Sequence, residues 1–187
     1  MASKSIVLIA IGSNTPGRWG SPADCLARVV AELNFAFNGL TKVSPFILTN
    51  PLGFVRQPKY LNAVMRVETS LPPAKLLIFL KDLERQAGRR TSASTRWGPR
   101  PLDLDIIDHG RRVNGWYAKN RRLKTARRPK FLILPHPEAH LRRFVLEPLL
   151  KVEPNWWHPV LRLSGRQLLN RLSQQQAAMS GRRHRPT

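Results

Sequence analysis

A chain of 187 residues is long enough for one domain with a substantial core, and 42% hydrophobic with 7% aromatic content excludes a disordered polymer. Its longest apolar runs, such as IVLIAI at 6–11, fall far short of a membrane span, and a single cysteine, Cys25, excludes an internally disulfide-bonded scaffold and accords with a reducing, cytoplasmic setting. The 32 Lys and Arg against 11 Asp and Glu give a net charge of +21, which concentrates polyanions such as nucleoside triphosphates, RNA, DNA or acidic membrane surfaces without choosing among them.

The run from Ser5 to Ile11 is almost wholly apolar and passes into Gly-Ser-Asn without a small-residue cleavage site. It reads as a buried first strand rather than a signal peptide. Ser21 and Pro22 supply an N-cap and a first-position proline, with Asp24 in the first turn. Leu26, Val29, Val30, Leu33 and Phe37 then recur at helical spacing until Gly39 stops the helix. A second strand over 41–48 runs into the turn-rich TNPLGFVRQPK. From Tyr60 to Thr69 the pattern alternates, with Leu61, Ala63, Met65 and Val67 on one side and Tyr60, Asn62, Val64 and Arg66 on the other. Tyr60 and Asn62 therefore share a face.

A second amphipathic helix begins at Pro72 and Pro73, carries Leu76, Leu77, Leu80 and Leu83, and ends at Gly88; its polar side presents Lys81 and Glu84. The loop GRRTSASTRWGPR leads into a strand, LDLDII. Residues 110–130 hold nine Lys or Arg and no acid, which reads as an exposed basic insertion. LILPHPEAHLRRFVLEPLL follows as a short strand, a Pro-His-Pro turn and a helix. Residues 173–187 lack an apolar face and read as a flexible basic tail, leaving 1–172 as a single domain. The order strand–helix–strand–strand–helix–strand predicts an α+β fold. Its core is a ferredoxin-like βαββαβ unit, with both helices on one face of an antiparallel sheet, supplemented by long loops and the insertion.

Asp103 and Asp105 stand at i and i+2 on the last of these strands, so their carboxylates project to one side about 7 Å apart at the backbone. Such a pair suits a hard cation with oxygen ligands, such as magnesium. An ordinary strand with an acidic face has the same spacing, and D-x-D alone is weakly specific. The surroundings favour the cation. Arg89, Arg90, Arg96 and Arg100 lie upstream, and Arg142 and Arg143 downstream. Guanidinium forks suit phosphate oxygens, so acids, metal and arginines together are the parts of a phosphoryl-transfer site. His136, between two prolines, can either bond a phosphate oxygen or cap backbone from a rigid turn. AIGSNTPG lacks the Lys-Ser/Thr of a Walker A loop, so side chains and metal would hold any nucleotide. Tyr60, Asn62 and Phe144 are either core or an aromatic sandwich with an amide to read a heterocycle's edge. Trp97, beside Gly98 and Pro99 in a polar loop, suits a lid.

RWGPRPLDLDII closely resembles the signature of the 6-hydroxymethyl-7,8-dihydropterin pyrophosphokinase family, folate-pathway enzymes that move diphosphate from ATP to a pterin alcohol. The resemblance runs in the family's order from IAIGSN through TNPLG, QPKYLNAV, LKDLERQAGR and the signature to LPHPEAHLRRFVLEPL, about residues 5–160. It implies that Asp103 and Asp105 bind two magnesium ions bridging the ATP phosphates. Arg89 and Arg100 match arginines that contact phosphates and assist transfer, and Trp97 matches the lid tryptophan. Tyr60 and Phe144 match the pair that sandwiches the pterin, with Asn62 and the main chain around Thr49 and Leu52 reading its edge. Glu84, Ile106, His136 and Arg142 match ATP-site positions. The implied enzyme is a cytoplasmic monomer with an open-to-closed loop cycle.

This chain also departs from the family pattern. Thr91 stands where a second loop arginine is frequent, with Arg90 one place earlier; Lys81 replaces a common glutamine, Asn50 a proline and Pro137 a tyrosine. The reading from a different class is a catalytically weak or inactive member of the fold that binds RNA or the ribosome through its basic surface. The joint presence of Asp103, Asp105, Arg100, Trp97, Tyr60, Asn62 and Phe144 favours the enzyme, because RNA binding requires none of that set.

Overall fold

The computed structural model describes residues 3–51, 57–89, 98–116 and 132–182. The predicted insertion therefore lies outside the described residues from 117 onward, as does the terminus beyond 182. In chain order the elements are β1 (Ser5–Ser13), α1 (Pro22–Ala36), β2 (Thr41–Val43), β3 (Ile47–Thr49), β4 (Tyr60–Thr69), α2 (Pro73–Gln86) and β5 (Asp103–His109). After β5 come a 3₁₀ turn (Ala139–Leu141), α3 (Arg143–Val152), a small hairpin of β6 (Trp157–His158) and β7 (Leu163–Ser164), and α4 (Gly165–Arg182). The main sheet has the order β2-β4-β1-β5, with every neighbouring pair antiparallel and β3 also paired to β4. No described helix is long and apolar enough to cross a membrane.

Local signals start the helices and packing holds them. Ser21 and Asp24 form a reciprocal capping box at the head of α1, with Pro22 at its first position. Gly88, at φ +98°, takes the left-handed conformation that ends α2. Leu26 and Leu33 of α1 and Leu76 and Leu80 of α2 are fully buried against Val7, Ile9 and Ile11 of β1, Met65 and Val67 of β4, and Leu104 and Ile106 of β5. Burial is worth roughly 2 kcal/mol for each such leucine, against a few tenths per residue for helix propensity. Tertiary contact therefore decides where these helices lie.

The other face of the sheet is covered too. Leu8, Val64 and Ile107 pack under Val145, Leu146 and Leu149 of α3, with Leu168 of α4 behind them. β1 is thus buried on both faces, as its unbroken apolar run predicts. A bulge at Leu8/Ile9 shifts the β1–β5 register from Ile9↔Ile106 to Leu8↔Asp108. Ahead of the bulge, Asp103 and Asp105 stand opposite Gly12 and Ala10.

Two elements differ from the sequence reading. The predicted second strand is two three-residue pieces, β2 and β3, because Pro45 carries no N–H to continue the ladder. Ser44 closes the gap: its N–H donates to Val64 O at 3.0 Å and its hydroxyl accepts from Val64 N–H at 3.0 Å. At the C-terminus, helix continues through residues 173–182, where the sequence reading has a tail without regular structure. Residues 173–178 are exposed, so this extension meets no core, in keeping with its missing apolar face.

Candidate active site

The site lies at one end of the sheet, on the face shared by Gly12, Asn62, Asp103 and Asp105. Leu102, Leu104 and Ile106 are buried in the opposite core and stiffen β5 from behind. Asp103 is gripped by two arginines. Arg89 Nη1 donates to its Oδ1 at 2.6 Å, while Arg100 Nη1 reaches Oδ1 at 2.8 Å and Oδ2 at 2.7 Å. Burial alone would raise the Asp103 carboxyl; Arg100, Arg89 and Lys81 outweigh it and hold the group below the usual carboxylate range. Asp105 is more open, with His136 Nε2 at 3.9 Å from its Oδ2 and no arginine or lysine paired to it among the described residues.

Behind Asp103 stands Glu84, which is buried rather than displayed on the polar side of α2. Its carboxylate accepts from Lys81 Nζ at 2.6 Å and from Leu104 N–H at 2.7 Å, and forms an ion pair with Arg89 Nη1 at 2.7 Å. Burial pushes the Glu84 carboxyl up, and Lys81 and Arg89 offset only part of that rise. His136 is held on its turn by two bonds: its N–H donates to Ile107 O at 2.8 Å, and its Nδ1 accepts from Glu138 N–H at 3.2 Å. Burial pushes the imidazole down, with Asp105 opposing and Arg142 adding to the effect, so the neutral form is favoured. With Nδ1 an acceptor, the ring proton belongs on Nε2, on the Asp105 side. Arg142 pairs with Glu138 and lies with its Cζ 5.9 Å from the centroid of the Phe144 ring.

Asn62 Nδ2 donates to Thr49 Oγ1 at 2.8 Å, joining β4 to the end of β3. Gly12 faces that amide so closely that an added Cβ would lie 2.8 Å from Asn62 Oδ1. Tyr60 is half-buried and its hydroxyl donates to Gly98 O at 3.5 Å; burial raises its pKa. Phe144, in the first turn of α3, packs against the cluster containing Leu8 and Val64 on the same sheet face. The sequence reading missed Asn14. It is buried, and its main-chain N–H donates to Arg100 O at 3.1 Å while its Oδ1 accepts from Arg100 N–H at 2.7 Å. Its Nδ2 also donates to Gln57 Oε1 and Pro58 O, both at 3.1 Å. One amide thus ties β1 to the segments that carry Arg100 and Tyr60. The only sequence signal for it is a short polar side chain where a buried strand gives way to a loop.

Of the residues singled out by sequence, Arg89, Arg100, Asp103, Asp105, Glu84 and His136 are brought together, and Thr49, Tyr60, Asn62 and Phe144 line the same face. Ile106 is buried in the core, so its side chain cannot contact a ligand and only its main chain is available. Leu52, Arg90 and Trp97 lie outside the described residues. The donor set fits magnesium. Among the described residues no group of three or more His, Cys, Asp or Glu could hold a metal alone. A cation at Asp103 and Asp105 would therefore complete its shell from water and a bound phosphate, the coordination magnesium prefers. The two guanidinium groups on Asp103 show that the spot favours positive charge.

Comparison with known proteins gives a consistent result. Residues 8–154 match the model of the family described as 7,8-dihydro-6-hydroxymethylpterin-pyrophosphokinase. The chain is 32% identical over 156 residues to the 2-amino-4-hydroxy-6-hydroxymethyldihydropteridine pyrophosphokinase of Aquifex aeolicus (strain VF5), covering 83% of this chain and 85% of that one. It is 36% identical over 149 residues to the protein of the same name from Bacillus subtilis (strain 168), covering 79% of this chain and 78% of that one. Among solved structures, the wild-type HPPK-DHPS of Plasmodium falciparum resembles it with a TM-score of 0.59 at 15% identity, a likeness of fold. The match covers 90% of this chain and 44% of that longer one.

Proposed function

The chain belongs to the 7,8-dihydro-6-hydroxymethylpterin-pyrophosphokinase family, and on that premise we propose that it transfers diphosphate from ATP to 6-hydroxymethyl-7,8-dihydropterin, releasing AMP, in folate biosynthesis. The observation that carries the reading is the convergence of Asp103, Asp105, Arg89, Arg100 and His136 beside the Asn62 face. We read the enzyme as a cytoplasmic monomer.

In this reading the pterin lies between Tyr60 and Phe144, with Asn62 and the main chain near Thr49 and Leu52 reading its polar edge. Asp103 and Asp105 would hold two magnesium ions. Bound there, magnesium supplies charge neutralisation to the phosphate oxygens. The ATP phosphates meet Arg89 and Arg100, whose forks suit the charge that builds during transfer. His136 offers its Nε2–H to a phosphate oxygen as a neutral donor, Arg142 and the main chain of Ile106 complete the nucleotide side, and the buried Glu84 serves that side from behind by holding Arg89. Trp97, outside the described residues, is read as the lid tryptophan. The pterin hydroxymethyl oxygen attacks the β-phosphorus, and the bond from that phosphorus to the oxygen bridging the α-phosphorus breaks. No protein nucleophile is called for, and Cys25 is a fully buried residue of α1. The acceleration comes from position and charge.

The test is AMP formation from ATP, magnesium and hydroxymethyl-dihydropterin. Pterin-dependent AMP release supports the reading; salt-sensitive RNA binding with no AMP release overturns it. A finer prediction concerns Gly12. Gly12→Ala displaces the Asn62 amide and is expected to raise KM for the pterin roughly tenfold, the loss of about one good hydrogen bond, with KM for ATP unchanged. Steady-state kinetics with each substrate varied checks it; an equal rise in both constants would count against the pterin role of Asn62.

A further inference from the structure

Among the described residues β5 is an edge strand, so its outward main-chain groups have no neighbouring strand there. At Leu104 that edge is completed by two side chains from α2. Glu84 Oε1 accepts the Leu104 N–H at 2.7 Å, and Lys81 Nζ donates to the Leu104 carbonyl at 3.0 Å. Lys81 and Glu84 are themselves joined at 2.6 Å. Together they offer Leu104 one acceptor and one donor, as an antiparallel partner residue would.

Leu104 lies between the two acids. Since its own main-chain groups point outward, those of Asp103 and Asp105 point at Gly12 and Ala10 of β1, their register partners. Three consecutive residues are thereby pinned from alternate sides, and both carboxylates leave a backbone that cannot turn. A second path starts from the same lysine. Lys81 holds Glu84, Glu84 Oε2 holds Arg89 at 2.7 Å, and Arg89 holds Asp103 at 2.6 Å.

An exposed i, i+3 ion pair on a helix is worth only a few tenths of a kcal/mol, and this pair is not of that kind. Glu84 has only 3% of its side chain exposed against 41% for Lys81. The lysine compensates a buried carboxylate and also reaches across 23 residues of sequence to another element. We propose that Lys81 is a positioning residue for the transfer, acting through Glu84 and the main chain of Leu104 on the Asp103–Asp105 pair and on Arg89. The proposal rests on the reading of this site as the seat of diphosphate transfer.

The test compares wild type with Lys81→Met, which keeps the stem but removes charge and donor, and Lys81→Arg, which keeps both. AMP release with ATP varied, thermal midpoint, and amide hydrogen exchange at Leu104 without nucleotide are measured. Lys81→Met is expected to lower kcat about tenfold, as loss of a supporting partner does, with KM for ATP within about twofold because the effect falls on the transition state. Exchange at Leu104 should quicken about tenfold, and Lys81→Arg should recover both values. A lowered midpoint in Lys81→Met with wild-type kcat per folded molecule overturns the proposal, as does wild-type exchange at Leu104. If wild type forms no AMP yet Leu104 exchange still responds, the functional reading has failed and the pinning of β5 stands.

Discussion

Asp105→Ala is expected to lower kcat for AMP release by roughly 10³-fold, the scale on which removal of a charge-stabilising group is felt, while leaving thermal stability nearly untouched. Asp105 faces the site with no arginine or lysine paired to it among the described residues, so its loss strands no paired cation. Asp103→Ala should lose as much activity but behave differently when heated. It leaves Arg89 and Arg100 without their shared acid, at side-chain exposures of 21% and 24%. For a pair that is only partly buried, the cost is about 1–2 kcal/mol, less than for a fully buried one. For a chain of this size that lowers Tm by a few degrees, roughly 2–4 °C per kcal/mol. Steady-state assays and thermal melts on both variants check the pair together. Full activity in either variant removes that carboxylate from the metal site, and equal melting shifts contradict the asymmetry of their partners.

Acid is expected to weaken the fold through His158. Its ring is fully buried, in edge-to-face contact with Trp116 at 4.9 Å and with His140 at 5.5 Å and Trp156 at 5.8 Å between centroids. Its Nδ1 accepts from the N–H groups of Val160 and Leu161, each at 3.2 Å. Burial, with the neighbouring His140 adding to it, pushes the imidazole pKa down from 6.5 to about 4. The unfolded chain therefore takes up a proton near pH 6.5 that the folded chain accepts only near pH 4. The contribution is complete above pH 6.5 and is lost as pH falls from there to 4. The loss reaches on the order of 3 kcal/mol at the acid end. His136, also pushed down by burial, adds to the slope in the same direction. His158→Asn keeps an acceptor for the two N–H groups and cannot titrate, so its stability should fall less steeply than wild type between pH 6.5 and 4. Urea denaturation at three pH values in that window measures the difference; parallel slopes would show that His158 carries no such linkage.

Much of this was legible in the sequence because the signals were local. The apolar run of β1, the alternation from Tyr60 to Thr69 and the capping residues Ser21 and Asp24 each depend on neighbours within a few positions, and the structure keeps them. The acid pair was legible for the same reason, two residues apart on one strand. Glu84 was not. Helical spacing assigns it to the polar side of α2, yet Leu104 N–H, Arg89 and Lys81 draw it inside, and those partners are long-range choices that periodicity cannot show. Asn14 escaped for a related reason: its four hydrogen bonds reach residues 43 to 86 positions away. The helix through 173–182 was missed because reading by apolar faces expects burial to hold a helix, and this extension is exposed over 173–178.

Pro45 has a further consequence, for how copies of this chain meet one another. Among the described residues β2 and β3 form the open edge of the sheet opposite β5, and Val43, Phe46 and Leu48 are 43%, 43% and 63% exposed there. A continuous apolar edge strand invites a second sheet to add to it, which is the first step of edge-to-edge aggregation. With a proline at its middle and the Ser44 hydroxyl turned inward to Val64, the edge is cut into two three-residue pieces, too short to template a stable ladder. The residue that spoils the predicted strand also guards the sheet against recruiting its own kind.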